Sequence, residues 1–231
     1  MKKPVVNYLE LRPSNLNSPR FRHLWLLLFW PIYGLLFMFV ERFYQVDSYY
    51  VMYCALDDLI PFQELFLIPY LFWFVFLVGM IAYTLFYDIP AFKKMMYFIM
   101  MTYGFSIAMY LLFPTCQNLR PESFERDNFL TRFMAGFYEF DTNTNVCPSI
   151  HVIGSLAVMF GAWHCEDLQH WAWKWGFGIV AALISISTVL LKQHSVLDVF
   201  AALAVCAVAY PICFLDLKNL RSSKAQSAVT E

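Results

Sequence analysis

The sequence predicts an all-α polytopic membrane protein, a six-transmembrane-helix bundle with an interfacial helix in the loop between spans three and four. Three observations predict it. Of the 231 residues 60% are hydrophobic, 19% aromatic and only 14% charged, whereas a soluble domain carries roughly a quarter charged residues to cover its core with polar surface. The stretches without a charged residue run over 24–40, 65–87, 95–119, 142–165, 175–191 and 199–215, each at or near the roughly 17 to 25 residues that cross about 30 Å of hydrocarbon. A strand reading fails, because transmembrane strands are about 10 residues long and alternate in polarity.

The first run begins at Leu24 after a polar lead with Lys2, Lys3, Arg12, Arg20 and Arg22, and no small-residue cleavage site follows. It reads as a retained helix rather than a signal peptide. With a cytoplasmic amino terminus, those five cations join Lys93, Lys94, Lys174, Lys218, Arg221 and Lys224 inside, eleven against the five of Arg42, Arg120, Arg126, Arg132 and Lys192 outside. That satisfies the positive-inside rule. It predicts an integral protein of the plasma (cytoplasmic) membrane, with both termini in the cytoplasm and the 114–147 loop and 192–194 turn on the outer face. In that loop FLTRFMAGFYEF sets Phe129, Leu130, Phe133, Met134 and Phe137 at helical spacing, with Arg132 and Glu139 elsewhere on the wheel. This is the pattern of an interfacial helix, serving as a cover for the bundle end or as a gate for lipid. No repeat or linker divides the chain, so it reads as a cytoplasmic segment 1–23, one membrane domain 24–215 and a cytoplasmic tail 216–231.

The formal charge of −1, from 16 Lys plus Arg against 17 Asp plus Glu, lacks the electrostatic footprint of nucleic-acid binding, and no nucleic-acid partner is expected. The six cysteines form no C-x-x-C pair and no Cys/His ligand spacing, so neither a zinc knuckle nor a redox dithiol is indicated. They read mostly as small apolar fillers. Cys116 and Cys147 bracket the polar loop and can bridge in an oxidising compartment.

Ionisable groups at membrane depth are expensive and call for a partner or a purpose. His151 lies in CPSIHV at the outer end of the fourth span, and His194 and Asp198 lie in KQHSVLDV at the outer end of the sixth. On a helix, residues four apart are in contact, and an Asp there orients one ring nitrogen and raises the basicity of the other, as a nucleophilic or basic histidine needs. The competing reading is that Ser195 and Asp198 form an S-x-x-D capping box for the sixth helix. Pro148 and Ser149 open the fourth helix and put His151 in its first turn, where free amides attract anions; a His at such a position is also commonly just hydrogen-bonded. Arg120 is suited to bidentate phosphate binding and equally to anchoring headgroups, and Lys192 has the same double reading. Arg-Pro, Pro-Ser-x-His and His-x-x-x-Asp thus occur in this order at the outer ends of three spans.

On these residues the chain resembles the type-2 phosphatidic acid phosphatase superfamily, the lipid phosphate phosphatases and their phosphotransferase relatives, over roughly residues 70 to 215. Arg120 and Pro121 match the end of its Lys-x6-Arg-Pro motif. Pro148, Ser149 and His151 match Pro-Ser-Gly-His with Ile150 at the Gly, and Ser187, His194 and Asp198 match Ser-Arg-x5-His-x3-Asp. Phe113 and Thr188 occupy the positions of the motifs' Lys and Arg. The resemblance implies that His194 attacks phosphorus to give a phosphohistidine, Asp198 orients it, and His151 protonates the leaving alkoxide. Arg120, Ser149 and Lys192 would hold the phosphate oxygens, with no metal and no other cofactor. The expected partners are a lipid phosphate substrate, phosphatidate-like or polyprenyl, and membrane lipids. Relatives resembling inositol-phosphorylceramide and sphingomyelin synthases keep the His, His, Asp set with fewer cations, which implies a phosphotransferase as the alternative. A zinc site built from the two His and the Asp lacks any H-E-x-x-H companion. A transporter would place its ionisable groups near the midplane rather than at one face.

Overall fold

Prolines and polar caps, rather than charges, set where the helices start and stop. The computed structural model describes residues 2–44 and 46–215; the tail expected over 216–231, with Lys218, Arg221 and Lys224, lies outside the described residues. In chain order the regular elements are α1 (Phe29–Arg42), β1 (Tyr50–Val51), α2 (Ala55–Leu59), α3 (Leu67–Tyr87), α4 (Ile89–Leu112), β2 (Thr115–Cys116), α5 (Phe129–Phe140), α6 (Ile150–Trp163), α7 (Trp171–Leu190) and α8 (Val196–Phe214). Strands β1 and β2 pair in parallel, Tyr50 opposite Thr115 and Val51 opposite Cys116.

Among the described residues five helical segments are long and apolar enough to cross a membrane: Arg22–Arg42, Glu64–Tyr87, Ile89–Leu112, Trp171–Leu190 and Val196–Phe214. They fit an integral membrane protein. The sixth expected span, the fourth stretch, is not among them. There α6 has 14 residues, about 21 Å at 1.5 Å per residue, short of the roughly 30 Å of a hydrocarbon core. The stretch 142–165 lacks charge, but its first part is rich in groups that compete with helix hydrogen bonds. Asn145 takes a left-handed φ of 54°, and Ser149 is an extended N-cap, so the helix begins at Ile150 with Pro148 outside it.

The third stretch shifts the other way. Helix α4 begins at Ile89, before the expected 95, because Asp88 accepts the Ala91 amide at 2.9 Å and Pro90 fits the first turn. Lys93 and Lys94 are carried inside the helix, and the Lys94 ammonium reaches the Phe214 carbonyl at 3.2 Å. It ends at Leu112 because Phe113 precedes Pro114 and is biased out of helical backbone; the residues to 119 continue as β2 and loop.

Helix α6 packs against α3, α4, α7 and α8 on a surface of small residues, Gly154, Ser155, Ala157, Gly161 and Ala162. A Cβ at Gly154 would lie 2.6 Å from Tyr103 Oη and 2.8 Å from Trp73 Nε1, so hydrogen there lets α3 and α4 close on α6. The bundle has two distinct ends. At one, the N-terminal segment bonds the α3 end through Val5 N to Phe86 O at 2.8 Å, and Glu166 N donates to Asp88 at 2.9 Å. At the other, Gln63 N bonds Leu190 O at 3.0 Å and Tyr110 Oη bonds Pro148 O at 2.8 Å. The FLTRFMAGFYEF segment is the helix α5, capped by Asn128, whose Oδ1 accepts the Leu130 and Thr131 amides at 2.9 and 3.1 Å. Its Met134, Leu130 and Phe137 pack on Leu67, Tyr70 and Leu191, while Phe129 and Phe140 stay exposed.

Candidate active site

The N-terminus of α8 builds one half of the site. Ser195 is its N-cap, accepting the Leu197 amide at 3.2 Å, and Asp198 Oδ2 accepts the Ser195 amide at 3.0 Å, the expected capping box. The same Oδ2 also takes His194 Nδ1 at 3.2 Å. Capping and histidine orientation are therefore two tasks of one carboxylate. His194 lies before the helix rather than on it, so the contact comes from the cap turning the chain back, not from a shared helix face. A carboxylate only accepts, so Nδ1 is the donor, which leaves Nε2 as the nitrogen not engaged by Asp198. Asp198 is fully buried, and its Oδ1 has no partner among the described residues.

The turn itself is pinned from α2. Asp57 accepts Ser195 Oγ at 2.6 Å and the Val196 amide at 2.8 Å, and also caps its own helix through the Cys54 amide at 2.8 Å. Burial pushes the Asp57 carboxyl up, but these bonds outweigh it and hold it below its ordinary value.

The other half comes from α6. Ser149 is its N-cap, fully buried, with its amide on the Asp198 carbonyl at 3.3 Å and its Oγ without a partner among the described residues. His151 follows in the first turn, its ring between Tyr70, stacked at 4.5 Å and 26°, and Trp73, also at 4.5 Å. The rings of His151 and His194 lie 6.0 Å apart, tilted by 61°. They line a cavity of about 40 Å³ together with Glu41, Tyr110, Asp141, Asn145 and Gln193.

Arg120 and Lys192 are not brought to that lining. The Arg120 guanidinium gives Nη1 to the carbonyls of Tyr138 at 2.9 Å and Asp141 at 2.7 Å, and Nη2 to the Thr142 carbonyl at 2.9 Å and Gln193 Oε1 at 2.7 Å. Lys192, at a left-handed φ of 52°, sends its ammonium to the Asp57 carbonyl at 2.7 Å. Burial lowers the pKa of both. Burial raises the Asp141 carboxyl to about 6, opposed by Arg120 and reinforced by Glu41. Cys116 and Cys147 are free rather than bridged, and burial lifts the Cys147 thiol to about 12. Phe113 stacks on Tyr50 at 4.2 Å, and the Thr188 hydroxyl bonds the Ser185 carbonyl at 2.8 Å, so neither supplies a donor to the cavity.

Glu41, Asp141, Gln193, Tyr70 and Trp73 complete the site without standing out in the sequence. Glu41 and Asp141 are charges that merely bound spans, and the available signal was that both fall at the same membrane face as the histidines. Tyr70 and Trp73 are hidden in an aromatic-rich span, where nothing distinguishes them from lipid-facing neighbours. A family model described as the PAP2 superfamily matches residues 94–222, which takes in His151, Gln193, His194 and Asp198 but not Glu41, Asp57, Tyr70 or Trp73. No curated protein and no solved structure matches the chain.

Proposed function

The chain belongs to the PAP2 superfamily, a group of phosphatases and related phosphoesterases, and from that premise we propose that it hydrolyses a lipid phosphomonoester or diphosphate through a phosphohistidine on His194. The observation that carries the reading is a pair of imidazoles lining one cavity, 6.0 Å between ring centres and tilted by 61°, with Asp198 on Nδ1 of one. Both rings line the same small cavity, so one phosphoryl group held there has an imidazole on either flank.

His194 Nε2 attacks phosphorus and the P–O bond to the lipid breaks in line. The Asp198 carboxylate steadies the positive charge that develops on the ring through Nδ1–H. His151 gives its proton to the departing alkoxide, then takes one from the water that cleaves the P–N bond and releases phosphate. Tyr70 and Trp73 hold the His151 ring between them, which fixes the line of proton transfer. The free amides of the first turn of α6 and the unpartnered Ser149 hydroxyl are suited to the equatorial oxygens, where negative charge grows. A lipid substrate is supported by the cavity wall: Phe37 lines it from α1, whose Leu35, Leu36, Met38 and Phe39 are exposed apolar surface for a tail. The reading needs no metal and puts the site at the outer face of the membrane.

One observation favours a second reading, transfer of a phospho-headgroup to a lipid alcohol. Glu41 and Asp141 line the cavity and, among the described residues, no Lys or Arg does, so a singly charged phosphodiester meets less uncompensated charge than a dianion. Purified protein given phosphatidate, and separately a phospholipid with a lipid alcohol, distinguishes them. Free phosphate is the expected product, and a new phosphodiester lipid in its place would establish the second. His194→Ala and Asp198→Asn should lower turnover by at least about a thousandfold with a chelator making no difference; normal turnover by His194→Ala would end both readings.

A further inference from the structure

The cavity has an anion to hold and carboxylates in its wall, so its hydrogen-bond donors matter. Thr142 donates to Glu41, and Asn145 Nδ2 gives to Glu41 Oε1 at 3.0 Å and to Thr144 Oγ1 at 3.5 Å. Those donors are spent within the wall. Gln193 differs: it lines the cavity beside His194, is only 2% exposed, and its Nε2 has no partner among the described residues. Its amide cannot turn over, because Oε1 accepts Arg120 Nη2 at 2.7 Å and a flipped amide would set donor against donor. All four terminal protons of the guanidinium are matched to protein acceptors, three backbone carbonyls and this amide.

Resting on the phosphoryl-transfer reading above, we infer that Gln193 donates its Nε2–H to a non-bridging oxygen of the phosphoryl group, and that Arg120 acts on that group only through Gln193. A charged donor on Oε1 draws electron density along the amide and strengthens Nε2–H as a donor. The cavity thereby feels a cation that never enters it. A buried amide left unpaired is costly, so the donor is held ready at the place where charge grows in the transition state. Gln193 is then a catalytic residue, and Arg120 a positioning residue. This accounts for a site in which Phe113 and Thr188 replace cations while an arginine is retained one layer back.

The test uses the full chain in detergent, a short-chain phosphatidate as substrate and orthovanadate as a competitive phosphoryl mimic. Gln193→Leu, which removes the donor at similar volume, should lower kcat/KM by about ten- to a hundredfold and weaken vanadate inhibition by a similar factor. Gln193→Glu keeps the shape and the Arg120 contact but presents an acceptor, and should lose at least as much; a purely structural role would spare it. Arg120→Lys should lower kcat/KM alone but add little in the Gln193→Leu background. The inference is overturned if Gln193→Leu keeps wild-type kcat/KM and vanadate affinity, or if Arg120→Lys costs the same factor in both backgrounds. Should Arg120→Lys fail to fold, the two Gln193 variants decide. A silent Gln193→Leu with an inactive His194→Ala sinks this inference alone, whereas an active His194→Ala sinks the reading beneath it.

Discussion

Asp141 is a carboxyl that burial raises from 3.8 to about 6, with Arg120 opposing and Glu41 reinforcing the rise. An acid whose folded pKa lies above its unfolded value keeps its proton in the folded chain after the unfolded chain has lost it. Stability from this group is therefore greatest below about 3.8 and declines as pH climbs toward about 6. Asp141→Asn abolishes that dependence. Its apparent melting temperature in detergent should exceed the wild type's above pH 6, with the gap narrowing as pH is lowered from 6 toward 4; a gap that does not change with pH would show that Asp141 is not the group titrating. At this scale the sequence reveals residues whose chemistry is scarce in a membrane. His151, His194 and Asp198 stand out because an ionisable side chain there needs a reason. Gln193 does not, since an uncharged amide next to a histidine carries no such signal, and its role depends on which of its ends Arg120 holds.

Helix α8 starts where it does because Ser195 and Asp198 cap it, yet the cap is itself capped. Asp57 holds the Ser195 hydroxyl and the Val196 amide from a five-residue helix more than a hundred residues earlier in the chain. Asp57→Ala leaves those buried donors unpaired and should cost about 1 to 3 kcal/mol of stability, read as a lower melting temperature. Because the same turn aims His194, kcat should fall more than KM rises; an unchanged melting temperature and kcat would show the contact to be incidental. The S-x-x-D pattern is local and so visible in the sequence. Asp57 is not, because a carboxylate in CALDDL reads as solvated surface until the fold lays α2 across the α7–α8 turn. Element boundaries divide in the same way. A run without charges marks what hydrocarbon tolerates, and the helix inside it is trimmed by Pro114 and by the Asn145 to Ser149 segment, leaving α6 at 14 residues.

Across the whole molecule, the site and the N-terminal segment occupy opposite ends of the bundle, with α5 and the β1–β2 pair at the site's end. The outer placement of that end is testable with an impermeant thiol reagent in a background lacking the native cysteines. Ser123→Cys, exposed at the site's end, should label in intact cells, and Gln169→Cys, exposed at the other, only after permeabilisation. The reverse pattern would put the chemistry in the cytoplasm. The sequence by itself determined that the chain is helical and fit for a bilayer, and which scarce polar residues require explanation, because hydropathy and capping act over a few neighbouring residues. Only the tertiary structure decided that the two imidazoles face one cavity, that aromatic rings from α3 hold one of them, and that Arg120 stands behind Gln193 rather than in the cavity. Those relations depend on how helices far apart in the chain pack around the small residues of α6, and packing geometry is a property of the whole bundle rather than of any window along it.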